Sequence, residues 1–132
     1  MKIFVTRTIP EAGPAMLRAC GYEVVVSSKD GVLTKDELIA ALKENNPDAV
    51  LCLLTDKIDG EVFAAAPNAK IFANYAVGFD NLDLKAATEK GIAITNTPGV
   101  LTDSVAEHAV ALIFAVTKRI AEADRFTRAG KY

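Results

Sequence analysis

Several residue types are scarce or missing in this sequence of 132 residues. It contains one histidine, two cysteines and no tryptophan. A single histidine is too few for a histidine-based metal site, and Cys20 and Cys52 lack the spacing of metal ligands. Both cysteines stand alone among apolar neighbours. We therefore expect two small buried thiols, as in a reducing cytoplasm, although a disulfide between them is possible in principle.

An excess of one charge is also lacking. The chain has 15 basic and 17 acidic residues, a net charge of −2, and no basic block. We therefore expect no nucleic-acid partner and no attraction to an anionic membrane. No apolar stretch approaches the roughly 18 residues of a membrane span, and the N-terminus MKIFVTRT does not have the layout of a secretory signal. These absences predict a cytoplasmic protein.

What is present is an alternation of strand-like and helix-like segments. Strands are predicted at residues 2–6, 22–26, 49–54, 70–76 and 92–97. The run AVLCLL (49–54) is continuously apolar, which is typical of a strand covered by helices on both faces. The pattern predicts an α/β fold with a doubly wound parallel five-stranded sheet. The flavodoxin-like strand order is the most frequent one for this pattern, but the sequence leaves the order open.

Helix signals lie between the predicted strands. Thr34 and Glu37 have the spacing of a capping box at the start of a helix. Asp59 is placed to cap a short helix over 60–65, and a further helix is predicted over 83–90. The first helix is expected over 10–20. Its core-facing residues are predicted to be Met16, Leu17 and Cys20.

The last segment predicts one long helix from Ser104 to about Ala129. Ser104 and Glu107 have capping-box spacing, and an apolar stripe follows them. A helix of about 25 residues is ~38 Å long, which exceeds what a domain of this size needs to cover its sheet. We expect this helix to pack against something else. Because the chain stops at Tyr132 without a terminal element, we also expect it to be a piece of a larger protein.

The loops that follow the strands are the expected place for a ligand. The loop after the first strand lacks the close-set glycines of a flavin phosphate site, so Arg7 is interpreted as a surface residue. Asp56 follows the third strand but lacks the acidic pair and the lysine of a phospho-acceptor domain. It is interpreted as a loop residue that bonds to nearby backbone, and Leu53 and Leu54 as an apolar wall.

The loop AVGFDNLD (76–83) leaves two readings open. On spacing alone, the favoured interpretation is that Gly78 serves only a tight turn, with Asp80 or Asp83 capping the next helix. Alternatively, Gly78 leaves room for a ligand, and successive backbone N–H groups here bind a carboxylate.

Residues 74–114, NYAVGFDNLDLKAATEKGIAITNTPGVLTDSVAEHAVALIF, resemble the N-terminal region of the D-isomer-specific 2-hydroxyacid dehydrogenases. The shared elements are a V-G-x-D-N-x-D turn, a G-I-x-I-x-N-x-P strand and an S-V-A-E-H helix start. The resemblance extends over the whole chain. It is greatest to the glyoxylate, hydroxypyruvate and phosphoglycerate branch.

The resemblance implies a flavodoxin-like substrate-binding domain over 1–100. Residues 101–132 would form a long interdomain helix ending in a truncated linker, without the Rossmann NAD domain. It further implies that the amides of Val77 and Gly78 hold the substrate carboxylate and that Leu53 lines the pocket. Thr102 is expected near the cofactor, which is NAD(H) or NADP(H) in the full-length enzyme. No metal is expected.

By the same resemblance the catalytic Arg, Glu and His lie downstream, so none is expected in this chain, and His108 is not the catalytic histidine. No G-x-G-x-x-G occurs in the sequence. We therefore expect an inactive chain that binds no cofactor tightly. The parent would be a homodimer that reduces a small 2-oxo acid, and the fragment would self-associate through its long helix. The alternative is a non-enzymatic α/β module, made to study folding or domain origin, or binding a small ligand or a partner.

Overall fold

The computed structural model describes residues 1–29 and 31–131. The chain divides into two compact units, Met1–Pro98 and Gly99–Tyr132. None of the described helices is both long enough and apolar enough to cross a membrane.

The first unit alternates strands with helices. Its strands are β1 Lys2–Val5, β2 Glu23–Val26, β3 Ala49–Leu53, β4 Ile71–Tyr75 and β5 Ala93–Thr95; its helices are α1 Ala12–Ala19, α2 Lys35–Asn45, α3 Gly60–Ala65 and α4 Leu84–Glu89. All strand pairs are parallel, and the order across the sheet is β2-β1-β3-β4-β5. This is the flavodoxin-like order, so the predicted α/β fold is confirmed.

The core lies between the central strands and the helices that cover them. Phe72 on β4 is completely buried, and its ring meets that of Phe63 on α3 edge to face, with centroids 4.9 Å apart. This is a favoured arrangement for two aromatic rings. Val50 and Leu53 on β3, whose side chains point to opposite faces of the sheet, are buried as well. The continuous apolar run therefore does correspond to a strand covered on both faces.

The predicted helix caps of the first unit are confirmed. The Thr34 side chain accepts from the amide of Glu37, and the Glu37 carboxylate accepts from the amide of Thr34, which completes the capping box of α2. Asp59 and Asp83 cap α3 and α4 with their carboxylates. These short-range bonds satisfy amides that have no partner within the helix.

The prediction for α1 is wrong in its start and, for Met16 and Cys20, in its buried face, whereas Leu17 is half-buried. The helix begins at Ala12 rather than Pro10, and its buried residue is Pro14. Met16 is 71% exposed, since it lies about 200° around the helix from Pro14.

The prediction of two buried thiols holds for one cysteine only, because Cys20 at the end of α1 is exposed. Cys52 is buried, and both cysteines are free thiols. Burial raises the pKa of the Cys52 thiol to about 12, so this thiol stays protonated.

The second unit is helical as predicted, but it consists of two helices rather than one. They are α5 Thr102–Thr117 and α6 Ile120–Arg128. Arg119 interrupts them with a left-handed backbone, φ 53°. The predicted capping box at Ser104 is wrong: α5 begins two residues earlier, and the Ser104 hydroxyl donates to the carbonyl of Leu101 over 3.1 Å.

Candidate functional site

The candidate site lies at the carboxyl edge of the sheet, where β3 and β4 end side by side. Leu53 and Tyr75, the last residues of these strands, are register partners. Two loops leave the sheet here, residues 54–59 and residues 76–83. In open parallel sheets this edge is the place where ligands bind.

The amides of Val77 and Gly78 are directed to one side of their loop. The carbonyl of Ala76 accepts from the amide of Thr97 over 2.9 Å, and the carbonyl of Val77 accepts from Asn96 Nδ2 over 2.7 Å. In a trans peptide the N–H points opposite to the C=O of the same plane, and no described peptide bond is cis. Both amides therefore point away from the β5 side.

These two amides are also available to a ligand. Among the described residues, none accepts a hydrogen bond from the N–H of Val77 or of Gly78. Both residues are exposed, and Val77 is 41% exposed. Two neighbouring donors with a common direction are the arrangement that binds the two oxygens of a carboxylate.

Two asparagines, Asn74 and Asn81, bind each other and hold the loop over residues 76–83 by hydrogen bonds. Asn74 is 2% exposed, and its Nδ2 donates to the carbonyl of Gly78 over 2.9 Å and to Asn81 Oδ1 over 3.1 Å. Asn81 Nδ2 returns a bond to Asn74 Oδ1 over 3.3 Å. It also reaches the carbonyls of Leu53, at 3.2 Å, and of Asp56, at 3.0 Å. The pair thereby joins the loop after β4 to the loop after β3.

Asp56 is a buried structural group of the neighbouring loop. It is 3% exposed, and its Oδ2 accepts from the Thr6 hydroxyl over 2.5 Å and from the amide of Leu53 over 2.8 Å. The prediction that Asp56 bonds to nearby backbone is confirmed. The same carboxylate contributes, after burial, to the raised pKa of Cys52.

The two residues expected to form an apolar wall, Leu53 and Leu54, differ in burial. Leu53 is only 9% exposed, whereas Leu54 is 65% exposed. Exposed apolar surface at this edge also comes from Tyr75, Val77 and Phe79. The role of Leu53 in lining a pocket stays a prediction.

Gly78 is not needed for the conformation of its own turn. Its φ lies outside the left-handed region that favours glycine, so the tight turn does not depend on a glycine at this position. A Cβ built on Gly78 would come no closer than 4.0 Å to another group, the Asp80 carboxylate. Nothing within the described chain therefore requires glycine here. What remains is the space that glycine leaves for an approaching molecule.

Two further residues lie in the second unit. Thr102 is the first residue of α5 and is exposed, and His108 is exposed on the same helix. The described residues contain no group of three or more His, Cys, Asp or Glu side chains that could hold a metal ion. The role of Thr102 near a cofactor stays a prediction.

Sequence reasoning missed the three asparagines that surround the loop. Asn74 interrupts the apolar strand IFANY, and such a buried polar side chain normally has hydrogen-bond partners. That interruption was the available signal. Asn81 and Asn96 are positions of the V-G-x-D-N-x-D and G-I-x-I-x-N-x-P motifs, but no role was assigned to them because asparagine is ordinary in a turn.

A flavodoxin-like sheet with free, aligned amides at its carboxyl edge defines the class: an α/β domain suited to binding a small anionic molecule. Residues 3–127 match the family described as D-isomer specific 2-hydroxyacid dehydrogenase, catalytic domain. The chain belongs to this family.

Relatives agree with the assignment. The chain is 53% identical to a glyoxylate reductase of Thermofilum pendens and 45% identical to one of Thermococcus kodakarensis, each over 99% of this chain and 38% of the relative. A crystal structure of the TT0316 protein from Thermus thermophilus is similar with a TM-score of 0.86 and 38% identity, covering 100% of this chain and 42% of that one. The chain thus spans about two fifths of the length of these relatives.

Proposed function

We propose that this chain is the substrate-binding part of an NAD(P)-dependent oxidoreductase that reduces a small 2-oxo acid to the D-2-hydroxy acid. Glyoxylate and hydroxypyruvate are the substrates we infer from its relatives. The observation that supports this proposal is the pair of free amides at Val77 and Gly78, which point in one direction at the carboxyl edge of the sheet.

In this proposal the two amides orient the substrate. They donate to the two carboxylate oxygens, and hydrogen bonds to a charged acceptor are stronger than neutral ones. The absence of a Cβ at Gly78 lets the carboxylate approach the backbone. Holding the carboxylate in this way presents C2 of the substrate in one orientation, which is a main contribution of an enzyme to such a reaction.

The remaining chemistry is assigned to groups outside this chain. A nicotinamide supplies hydride to C2, and a protonated side chain supplies the proton to the oxygen. Residues 1–100 form the substrate domain in this proposal, residues 101–132 lead toward the cofactor domain, and Thr102 lies near the cofactor. The chain alone then reduces nothing: purified protein mixed with NADH and glyoxylate is expected to leave the NADH absorbance unchanged.

The site is tested by titrating the ¹⁵N-labelled chain with pyruvate, a small 2-oxo acid with the same 2-oxo carboxylate group as glyoxylate and hydroxypyruvate. The control is a titration with the neutral amide of pyruvate. The amide signals of Val77 and Gly78 are expected to move with pyruvate only. Two charge-assisted hydrogen bonds correspond to a Kd of about 1 mM. Unmoved signals at both residues, or equal movement with the neutral amide, would contradict the proposal.

A second candidate function comes from the second unit, where no residue of α5 or α6 is buried. Exposed apolar side chains there include Leu112, Ile113, Phe114 and Phe126. Surfaces of this kind mark contacts with other chains. We propose that the isolated chain self-associates through these helices. Sedimentation at rising concentration is expected to show a growing dimer fraction, and a strictly monomeric species would contradict it.

A further inference from the structure

We infer that Asn74, Asn81 and Asn96 are positioning residues that fix the peptide planes on both sides of Gly78 and so hold the Gly78 amide in its carboxylate-binding direction. The inference rests on the proposed function of the Val77 and Gly78 amides. It concerns side chains that touch neither substrate nor cofactor and act only through the backbone of the loop.

The first argument is the choice of carbonyls that the asparagines bind. Asn96 Nδ2 holds the carbonyl of Val77 at 2.7 Å, and Asn74 Nδ2 holds the carbonyl of Gly78 at 2.9 Å. These carbonyls belong to the two consecutive peptide planes on either side of Gly78. Since each plane is rigid, fixing its carbonyl also fixes its N–H. Asn96 therefore sets the Gly78 amide directly, and Asn74 fixes the peptide plane that follows Gly78. The Val77 amide is set by the backbone instead, since the carbonyl of Ala76 accepts from the amide of Thr97 over 2.9 Å.

The second argument is the cost of the buried pair. Asn74 is 2% exposed within an apolar strand, and a polar side chain in that position stabilises the fold only when it is fully hydrogen-bonded. Asn74 and Asn81 bind each other reciprocally, at 3.1 Å and 3.3 Å. An apolar residue would pack there without this requirement. The network is therefore better explained by its hydrogen bonds to the backbone of the loop than by the packing of its side chains.

The third argument is the connection to β3. Asn81 Nδ2 binds the carbonyls of Leu53 and Asp56, while the amide of Ile58 donates to the carbonyl of Asn81 over 2.9 Å. The amide of Asp83 donates to the carbonyl of Ile58, also over 2.9 Å. The loop after β4 is thus attached to the loop after β3 at several points. Attachment to a rigid neighbour preorganises the amides, so that binding loses less conformational entropy.

The test compares pyruvate affinity in three chains: the wild type, Asn81→Ala and Asn96→Ala. Asn68→Ala is the matched control, since exposed Asn68 bonds only to Asn46 Oδ1, at 3.1 Å, among the described residues. Kd is measured from the Val77 and Gly78 amide shifts, and thermal unfolding is recorded for each chain. We expect Kd to rise about tenfold in Asn96→Ala, which loses the direct bond to the Val77 carbonyl, and about threefold in Asn81→Ala, which acts through Asn74, with no change in Asn68→Ala.

Affinity separates positioning from mere stabilisation. A structural role lowers the unfolding temperature but leaves the Kd of the folded chain unchanged, and that result in both variants would overturn the inference. If Asn81→Ala does not fold, Asn96→Ala decides, because Asn96 is not buried and its loss leaves the core intact. Wild-type amides that do not respond to pyruvate would overturn the proposed function itself, and this inference with it.

Discussion

The two units of the chain differ in the burial of their apolar side chains. In the first unit Phe4, Leu42, Val50, Val62 and Phe72 are at most 2% exposed. In the second unit no residue of either helix is buried, although α5 is rich in Val, Leu, Ile and Phe. An apolar composition therefore predicts a buried residue only where the rest of the fold supplies a covering layer.

The largest expected effect is a difference in the free energy of unfolding that is lost when one of two helical leucines is replaced by alanine. Leu42 on α2 is completely buried, whereas Leu112 on α5 is 52% exposed. Leu42→Ala is expected to lower the free energy of unfolding by about 2–5 kcal/mol, because it opens a cavity. Leu112→Ala is expected to change it by less than about 1 kcal/mol. Urea unfolding measures both, and similar losses would remove the distinction between the units.

A smaller effect is expected from the buried polar network of the first unit. Thr6→Val preserves the shape of the side chain but removes the hydroxyl that donates to Asp56 Oδ2. The buried carboxylate then keeps only the Leu53 amide on that oxygen. We expect a loss of about 1–3 kcal/mol in urea unfolding. Thr117→Val on exposed α5, where the hydroxyl bonds to the carbonyl of Ile113, is the control and should cost less.

The capping box of α2 makes the stability of the first unit depend on pH. The Lys29 ammonium, followed by the backbone and side chain of Thr34, lowers the pKa of Glu37 to about 2. A lowered folded-state pKa means stability that is present above the unfolded pKa, about 4.3, and is lost as the pH falls toward 2. The urea midpoint is expected to fall across this window.

The substitution Glu37→Gln tests this dependence. The variant is expected to show a smaller fall of the urea midpoint between pH 4.5 and 2 than the wild type, since the titrating group is gone. Lys29→Met, which removes the first cause of the lowered pKa, should reduce the same fall in part. If the urea midpoint of Glu37→Gln falls as steeply as that of the wild type, other titrating groups cause the pH dependence.

The smallest effect is expected at the junction of α5 and α6. Arg119 has φ 53°, a conformation that glycine adopts without steric cost. Arg119→Gly is expected to stabilise the second unit by a few tenths of a kcal/mol, since the ion pair it loses with Glu122 is exposed. The helical circular dichroism of the variant should match the wild type. A gain in helix would instead indicate that the two helices had fused.

Much of the first unit could be predicted because its signals are local. Thr34 with Glu37, Asp59 and Asp83 bind amides two or three residues away, so their spacing alone predicted the caps. The strands were predicted to within one or two residues from apolar runs. The buried face of α1 was predicted only for Leu17, because which side of a helix is buried depends on where the sheet lies beside it. The break at Arg119 was also missed, because an arginine carries no signal for a left-handed residue.

The sequence by itself determined the alternation of strands and helices, the helix caps of the first unit and the family, because each depends on short spacings. Only the tertiary structure decided the strand order, the burial of Asp56 and the asparagine network. These bring together residues far apart in the chain: Thr6 meets Asp56, and Asn81 reaches the end of β3. Such long-range contacts depend on the packing of the whole sheet, which no local pattern encodes.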